Sequence, residues 1–277
     1  MDISVITVNY NAAPLVRRAH ASLRDATAKY SYETIVIDNS PVPTDDCGAD
    51  IYRTSDNRGF GAGCNEGAKL ASGHMLLFLN PDCELHPGSL DAAVDCLLNR
   101  KDAGLVGLRA FLPDGKEEPA CLRGFPTPGR SLSYFLKLDR VFPKSELFGG
   151  YHMTMLDRAK TQETECVSGS FMLLRRELFE QLGGFDETYF MYGEDIDLCW
   201  RVRKSGRGVW YCADGTMLHH HGKCGRNPRQ TAAFYDSMEI FYDQHFAEQY
   251  SELTGLAVKT AVRAMKRRAL RKLEAEK

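Results

Sequence analysis

The sequence lacks a hydrophobic stretch long enough to cross a membrane, since no window of about 18 residues is apolar and free of charge. We expect no secretory leader, because MDISVITVNYN has no basic segment before a long apolar run and instead predicts a first strand. The nine cysteines form no CxxC pair and are odd in number, which is typical of reduced thiols in a cytosolic protein. The net charge of −2 gives no sign of nucleic-acid binding. These absences favour a cytoplasmic globular protein.

Apolar, β-branched runs alternate with helical patterns through the first 111 residues. Strands are predicted at 3–9, 33–39, 49–54, 74–80 and 103–111, and helices near 14–28, up to 72, and at 87–98. This alternation predicts an α/β fold with a mostly parallel sheet flanked by helices.

The pattern breaks down from 112 to about 165, where a long irregular stretch predicts a wall or lid that faces substrate. A strand and a short helix are then predicted at 166–185, and the acidic cluster in FMYGEDIDLCWR opens a further helix. Two more strands are predicted in RGVWYCADGTMLHHH, and a separate helical pattern begins near 254.

Acid and amide side chains follow the first four predicted strands. They are Asn9, Asn11, Asp38, Asn39, Asp56, Asn57, Asn80 and Asp82. Any one aspartate at such a place could simply cap the next helix. Together they favour a polar binding cleft, because ligands of open α/β sheets bind at the carboxyl ends of the strands.

The glycine-rich segment DNRGFGAGCNEG resembles a dinucleotide fingerprint but fails as one. Gly59, Gly61 and Gly63 lack the third glycine at the required spacing, and the segment follows the third strand rather than the first. The glycines would instead permit close backbone approach to a ligand that faces a helix N-terminus.

Two sites in the sequence could hold a metal. Asp82, which Pro81 fixes at a strand end, could ligate Mg²⁺ or Mn²⁺, or could cap a helix. In LHHHGKC, His219 and His221 share one face of a strand, and with Cys224 they could offer three ligands to zinc. We favour one histidine that completes an oxygen-rich site.

Three carboxylates lie within four positions in GEDID. Glu194, Asp195 and Asp197 begin a predicted helix whose dipole favours negative charge there. Arg201 lies four residues after Asp197, a spacing that allows an ion pair on one helical face. Asp195 is then left to face the cleft.

Six segments, in order along the chain, resemble the family-two glycosyltransferases of the GT-A fold, especially rhamnosyltransferase-like members. They are VITVNYN, VIDNS, DNRGFGAGCNEG, LNPDCEL, SGSFMLLRRELFEQLGGFDETYFMYGEDIDLCWR and LHHHGKC. The resemblance implies a nucleotide-sugar-binding half at 1–111, an acceptor-binding and catalytic half at 112–225, and a basic helical tail at 226–277.

The resemblance also implies roles for single residues. Those expected to bind the nucleotide sugar are Asn9, Asn11, Asp38, Asp56, Asn57, Gly61, Asn65 and Asn80. Asp82 would ligate Mg²⁺ or Mn²⁺ beside His219, although His221 remains possible. Asp195 would be the catalytic base, with Glu194 as its partner. Asn80 stands where the family has the first aspartate of D-x-D, and Cys224 stands where a serine is common.

The implied activity is an inverting, metal-dependent transfer of a sugar from a nucleotide diphosphate to a glycan or lipid-linked acceptor in bacterial surface polysaccharide synthesis. The expected donor is dTDP-L-rhamnose, followed by a hexose on UDP or dTDP. A sugar-nucleotide pyrophosphorylase is the alternative enzyme, but NYNAAPLVRR offers no basic glycine-rich loop after the first strand. An inactive carbohydrate-binding scaffold is the non-enzymatic alternative.

The tail at 256–277 carries eight Lys/Arg against two Glu. On a helix, Val258, Val262, Met265, Ala269 and Leu273 form an apolar stripe, which could pack on the domain or face lipid. We expect the basic side to hold the protein peripherally at the inner face of the cytoplasmic membrane, through anionic lipid.

Overall fold

A nine-stranded mixed sheet forms the centre of the computed structural model, which describes residues 1–220 and 227–275. The strands are β1 (Ile3–Asn9), β2 (Tyr32–Asp38), β3 (Ile51–Thr54), β4 (Met75–Leu79), β5 (Cys83–Leu85), β6 (Ala103–Phe111), β7 (Gln162–Thr164), β8 (Phe171–Arg175) and β9 (Gly208–His219). Their order is β3-β2-β1-β4-β8-β6-β9-β5, and β7 also pairs with β9.

Helices cover both faces of this sheet. They are α1 (Ala13–Ala26), α2 (Phe60–Leu70), α3 (Ser89–Leu98), α4 (Pro128–Phe135), α5 (Leu138–Val141), α6 (Glu146–Gly149), α7 (Arg176–Gln181), α8 (Glu194–Lys204), α9 (Pro228–His245) and α10 (Glu252–Ala275). Buried residues of α1 and α3 join one hydrophobic cluster, and those of α2, α7, α8 and α9 join the other. The predicted α/β class with helices on both faces is confirmed.

Alternating side chains of the central strands supply both hydrophobic clusters. In β4, Leu77 belongs to the cluster under α1 and α3, whereas Leu76 and Phe78 belong to the cluster under α2 and α8. β8 divides its side chains in the same way. A strand covered on both faces is apolar at every position, which is why HMLLFLN is a continuous hydrophobic run.

The parallel pairing is confined to part of the sheet. β3, β2, β1 and β4 are mutually parallel, and β6 is parallel to β9. β8 is antiparallel to both β4 and β6, with Leu79 opposite Phe171. The chain enters β8 from the irregular segment rather than from a crossover helix, so the sheet is mixed rather than mostly parallel.

The segment predicted to be irregular holds short elements of its own. Residues 128–149, here called the helical insert, contain α4, α5 and α6, and β7 follows them. The prediction of two strands in RGVWYCADGTMLHHH was wrong, because β9 is one strand. Its pairing with β6 shifts between Cys212 and Thr216, so the ADG residues bulge out of the ladder and the strand continues.

The C-terminal helix α10 packs on α9. Val262 is buried, Val258 packs on the core, and the other stripe residues are half-buried. Three basic residues pair across the two helices, as Lys259–Asp243, Arg263–Glu239 and Lys266–Asp236. The apolar stripe is therefore used in packing and does not face lipid.

Among the described helices, none is long and apolar enough to cross a bilayer. The eight cysteines of the described residues are free and buried, in agreement with reduced thiols. Cys224 and His221 lie outside the described residues.

Candidate active site

Asp82, Cys83 and His219 form a cluster at the edge of the sheet. β5 pairs antiparallel with the end of β9 and brings Cys83 opposite His219. His219 Nε2 lies 3.3 Å from Asp82 Oδ1, and ligand atoms from all three residues lie within 4.8 Å of one another. The structure thus unites two residues that are 137 positions apart and that the sequence predicted as a metal pair.

Glu118 is a member of this site that the sequence reasoning missed. Its Oε2 lies 2.7 Å from His219 Nδ1, and both side chains are buried. The chain turns back along β6 after Phe111, so neighbouring glutamates face opposite ways and Glu117 pairs with Arg109 instead. The turn decides which glutamate contacts His219 and which pairs with Arg109, and the segment PDGKEEPA alone does not show where the chain turns.

The electrostatics of His219 are dominated by its acidic neighbours. Burial lowers its pKa, but hydrogen bonds to Asp82, Cys83 and Glu118 outweigh burial and raise the pKa well above its ordinary value. A histidine whose second nitrogen is held by a carboxylate is the usual arrangement around a protein-bound metal.

The donor atoms fit a divalent cation. Asp82 and His219 offer one oxygen and one nitrogen, which Mg²⁺ or Mn²⁺ accepts when water and phosphate oxygens complete its shell. Cys83 offers a sulfur whose pKa burial raises to about 11, and sulfur is a softer ligand than Mg²⁺ or Mn²⁺ prefers. Two of the three predicted zinc ligands, His221 and Cys224, lie outside the described residues.

Asp195 lies at the start of α8 in contact with Arg123. Its Oδ2 accepts hydrogen bonds from Arg123 Nη2 at 2.6 Å and from the Gly169 amide at 3.0 Å. Both charged side chains are mostly buried. Arg123 was also missed by the sequence reasoning, because its position depends on backbone pairing with Cys166, 43 residues away.

The turn before β8 joins Asp195 to the metal cluster. The backbone N–H of Gly169 donates a hydrogen bond to Asp195. The carbonyl of the next residue, Ser170, accepts a hydrogen bond from the backbone N–H of Asn80 at 3.0 Å. A Cβ at Gly169 would lie 3.1 Å from the Cβ of Asp195, so a larger residue there would press on Asp195. The Asp195 carboxylate and the candidate cation site therefore share one edge of the sheet.

The other two carboxylates of the cluster have different surroundings. Asp197 is buried and contacts Arg201 Nη2 at 2.6 Å and His245 Nε2 at 2.8 Å, which confirms the predicted ion pair. Glu194 is buried with no hydrogen-bond partner for Oε2 among the described residues. Burial, followed by repulsion from Asp195, raises the pKa of Glu194 to about 8.

Asn9 and Asp38 form a buried network at the ends of β1 and β2. Asn9 donates to Asp38 Oδ1, and its own oxygen accepts from the Ala12 amide at the start of α1. Asp38 also accepts from the Ser40 and Thr44 amides, the Thr44 hydroxyl and the Tyr52 hydroxyl. Donors from the chain thus already occupy both carboxylate oxygens, and Asp38 orders the loop after β2.

The remaining predicted nucleotide residues divide into two groups. Asn11 and Asp56 are exposed and Asn57 and Asn80 are half-buried, all after strand ends. Asn65 and Gly61 instead contact the segment after α7. Asn65 makes two hydrogen bonds with the backbone of Phe185, and Gly61 packs on the side chain of Phe185. Asn65 therefore faces the chain itself.

The glycine-rich segment makes a close backbone contact within the protein. Gly59 has φ of 117°, and a Cβ there would collide with the Phe190 carbonyl, which accepts a hydrogen bond from the Phe60 amide. This contact fixes α2 against the segment that leads into α8.

Comparison with known proteins adds two lines of evidence. Residues 4–183 match the family model described as Glycosyl transferase family 2, and residues 151–221 match one described as the N-terminal domain of galactosyltransferase. The chain is 29% identical over 303 aligned residues to the N-acetylglucosaminyl-diphospho-decaprenol L-rhamnosyltransferase of Mycobacterium tuberculosis, which covers 98% of both. It is 31% identical over 156 residues, 54% of each protein, to rhamnosyltransferase WbbL of Escherichia coli.

Solved structures agree on the fold. The mannosyltransferase PcManGT of Pyrobaculum calidifontis, solved with GDP-Man and Mn²⁺, superposes with a TM-score of 0.58 at 16% identity. The match covers 99% of this chain and 73% of that one.

The Asp38 network predicts a pH-dependent loss of stability. Burial raises the pKa of Asp38, but hydrogen bonds from Ser40, Tyr52 and Thr44 lower it to about 2, from an ordinary 3.8. Because the folded pKa lies below the unfolded one, the stabilisation is complete above pH ~4 and disappears as the pH falls towards 2.

We expect Asp38→Asn to lower the free energy of unfolding by about 2 kcal/mol at pH 7 and by roughly half as much at pH 3. Urea denaturation of the wild type and of Asp38→Asn at both pH values measures the difference between their free energies of unfolding. Asp46→Asn is the control, because Asp46 is an exposed carboxylate in the same loop. The same difference in the free energy of unfolding at pH 7 and at pH 3 would contradict the lowered pKa of Asp38.

Proposed function

The chain belongs to glycosyl transferase family 2, and we propose that it transfers L-rhamnose from dTDP-L-rhamnose to a hydroxyl of a lipid-linked glycan, with inversion and with a divalent cation. The observation that carries this proposal is the turn at 168–170, which links the Asp195 carboxylate to the Asn80–Asp82 segment and hence to His219. A base and a cation site on one edge suit an inverting transfer that depends on a cation, because the base activates the acceptor while the cation stabilises the leaving diphosphate.

Asp82 and His219 would hold the cation, either Mg²⁺ or Mn²⁺. When bound, it would stabilise the negative charge of the departing diphosphate. Glu118 supports this assignment, since it fixes the ring of His219 with Nε2 towards Asp82. Asn80, in place of a second carboxylate, leaves more of the cation's shell to water and diphosphate.

Asp195 would act as the base that takes the proton from the acceptor hydroxyl. Arg123 and the Gly169 amide both bind its Oδ2, which orients the carboxylate. Burial and repulsion from Asp195 raise the pKa of Glu194, which favours its neutral form and leaves Asp195 as the group that takes the proton. The deprotonated hydroxyl oxygen attacks the anomeric carbon from the side opposite the diphosphate, which inverts that centre.

Residues 1–111 would bind the nucleotide sugar and 112–225 the acceptor, with 226–277 as a supporting helical tail. Asn11, Asp56, Asn57 and Asn80 are accessible and would contact the donor directly. Asn9, Asp38, Gly61 and Asn65 would act by shaping the donor cleft, because their polar groups or surfaces already contact the chain.

An acceptor would enter beside the cation site. A cavity of about 580 Å³ is lined by Leu112, Pro113, Glu118, Tyr134 and His152, among others. Glu118 connects it to His219. The name of the mycobacterial relative supports an acceptor on a polyprenyl diphosphate. An enzyme that uses such an acceptor would act at the surface of the cytoplasmic membrane. We therefore propose that the protein contacts the inner, anionic face of this membrane peripherally.

Asp195→Asn should lower turnover by about 10²–10⁴-fold and leave donor affinity unchanged, because only proton transfer is lost. Glu194→Gln is the matched control: it keeps the size of a side chain that is already neutral, so most activity should remain. Steady-state rates and donor titration separate the two effects. Normal turnover in Asp195→Asn together with inactive Glu194→Gln would reverse the assignment.

Glu118→Gln should weaken Mn²⁺ binding by about 10–100-fold, as expected when the partner of a metal-bound histidine is changed. Titration followed by electron paramagnetic resonance measures free Mn²⁺ without requiring activity. Glu117→Gln, one residue away and paired with Arg109, should bind like the wild type. Full transferase activity in EDTA would contradict the metal requirement.

Thermal shift against a panel of nucleotide sugars tests the donor. We expect dTDP-L-rhamnose with Mn²⁺ to raise the melting temperature most, because a ligand that binds only the folded state stabilises it by mass action. UDP-hexoses and GDP-mannose serve as comparisons. Stabilisation by another sugar nucleotide alone would overturn the rhamnose assignment.

A further inference from the structure

The helical insert exposes a concentrated set of apolar side chains. They are Leu132, Phe135, Leu136, Val141, Phe142 and Leu147, here called the insert patch. With Tyr134, the insert carries seven of the fifteen large hydrophobic side chains that the described residues expose, within 16 consecutive positions. Single exposed hydrophobic residues are ordinary, whereas a cluster of this density marks an interaction surface.

The inward side of the insert is held to the protein by polar contacts. Arg130 pairs with Glu165, and the Pro143 carbonyl accepts a hydrogen bond from the Thr154 hydroxyl, whereas the Ser133 hydroxyl donates to the Phe148 carbonyl within the insert. Leu132 and Phe135 of α4 and Leu136, which follows it, have the i, i+3, i+4 spacing of one helical face. This anchoring leaves the opposite side of the insert exposed.

Basic residues lie between the apolar ones. Lys137, Arg140 and Lys144 are exposed and have no ion-pair partner among the described residues. Asp139 turns inward to His152, which leaves Glu146 as the exposed acid of the insert. Apolar side chains interspersed with unpaired lysine and arginine match the interface of an anionic bilayer, where the chains enter the acyl boundary and the cations meet the headgroups.

The insert patch also adjoins the acceptor cavity. Tyr134 and His152 line that cavity together with Glu118, which holds His219. A lipid-linked acceptor bound there would have its lipid at the insert and its sugar at the cation site.

We propose that the insert patch docks the protein on anionic membranes. Its use in delivering a lipid-linked acceptor rests on the proposed function, whereas the docking itself does not. The C-terminal helix, whose apolar stripe lies against α9, is at most an electrostatic contributor.

The test is sedimentation of the full chain with phosphatidylcholine vesicles that contain or lack phosphatidylglycerol. We expect wild type to pellet with the anionic vesicles, and the double variant Leu136→Glu, Val141→Glu to bind at least about tenfold more weakly. The control is Val42→Glu, Leu253→Glu, which alters two side chains that are 76% and 78% exposed outside the patch and should bind normally. Replacement of Lys137, Arg140 and Lys144 with Gln should remove the preference for phosphatidylglycerol.

Folding is checked by circular dichroism, and transfer to a short, water-soluble acceptor is measured in parallel. Loss of vesicle binding with normal soluble transfer supports the proposal. Vesicle binding that depends on the patch in a protein without transferase activity supports docking and refutes the function alone. Equal pelleting of wild type and the insert variant overturns docking, as does a patch that instead mediates self-association without vesicle binding.

Discussion

The buried contact between Asp195 and Arg123 is the interaction on which the rest of the site depends. Three carboxylates at one helix start repel each other, and an unpaired buried charge is costly. Arg123 pairs with Asp195, Arg201 pairs with Asp197, which also contacts His245, and burial raises the pKa of Glu194 and favours its neutral form. The helix dipole adds a smaller favourable contribution to the charges of Asp195 and Asp197. The three acids therefore have three different surroundings.

The insertion of β8 between β4 and β6 explains how Asp195, the proposed base, comes to lie on the same edge of the sheet as the candidate cation site. Because β8 runs antiparallel to β4, its first residue lies opposite the last residue of β4, Leu79. The turn that precedes β8 is therefore at the carboxyl edge of the parallel strands, where Asn80 and Asp82 follow. β9, with its bulge, then returns His219 to the same edge. A purely parallel sheet would place that turn elsewhere.

Local patterns predicted the elements well and the contacts between distant segments poorly. The span 103–111 matches β6, and the i, i+4 pair of Asp197 and Arg201 forms as expected, because both depend on neighbours in sequence. Glu118 and Arg123 were missed since each acts on a residue more than 70 positions away. Asn65 and Gly59 were predicted to lie by a ligand, and the contacts that they make within the chain, to Phe185 and Phe190, could not be predicted from the sequence. A glycine that permits close approach looks the same in sequence whether the approaching group belongs to a ligand or to the protein.

The most direct test of the account is the stereochemistry of the product. Purified protein, Mn²⁺, dTDP-L-rhamnose and a diphospho-lipid acceptor would be incubated, and the anomeric centre of the new linkage read by nuclear magnetic resonance. A base at Asp195 opposite a cation-bound diphosphate predicts one product with the configuration opposite to that of the donor. A product that retains the donor's configuration, or release of free sugar with no transfer, would contradict it.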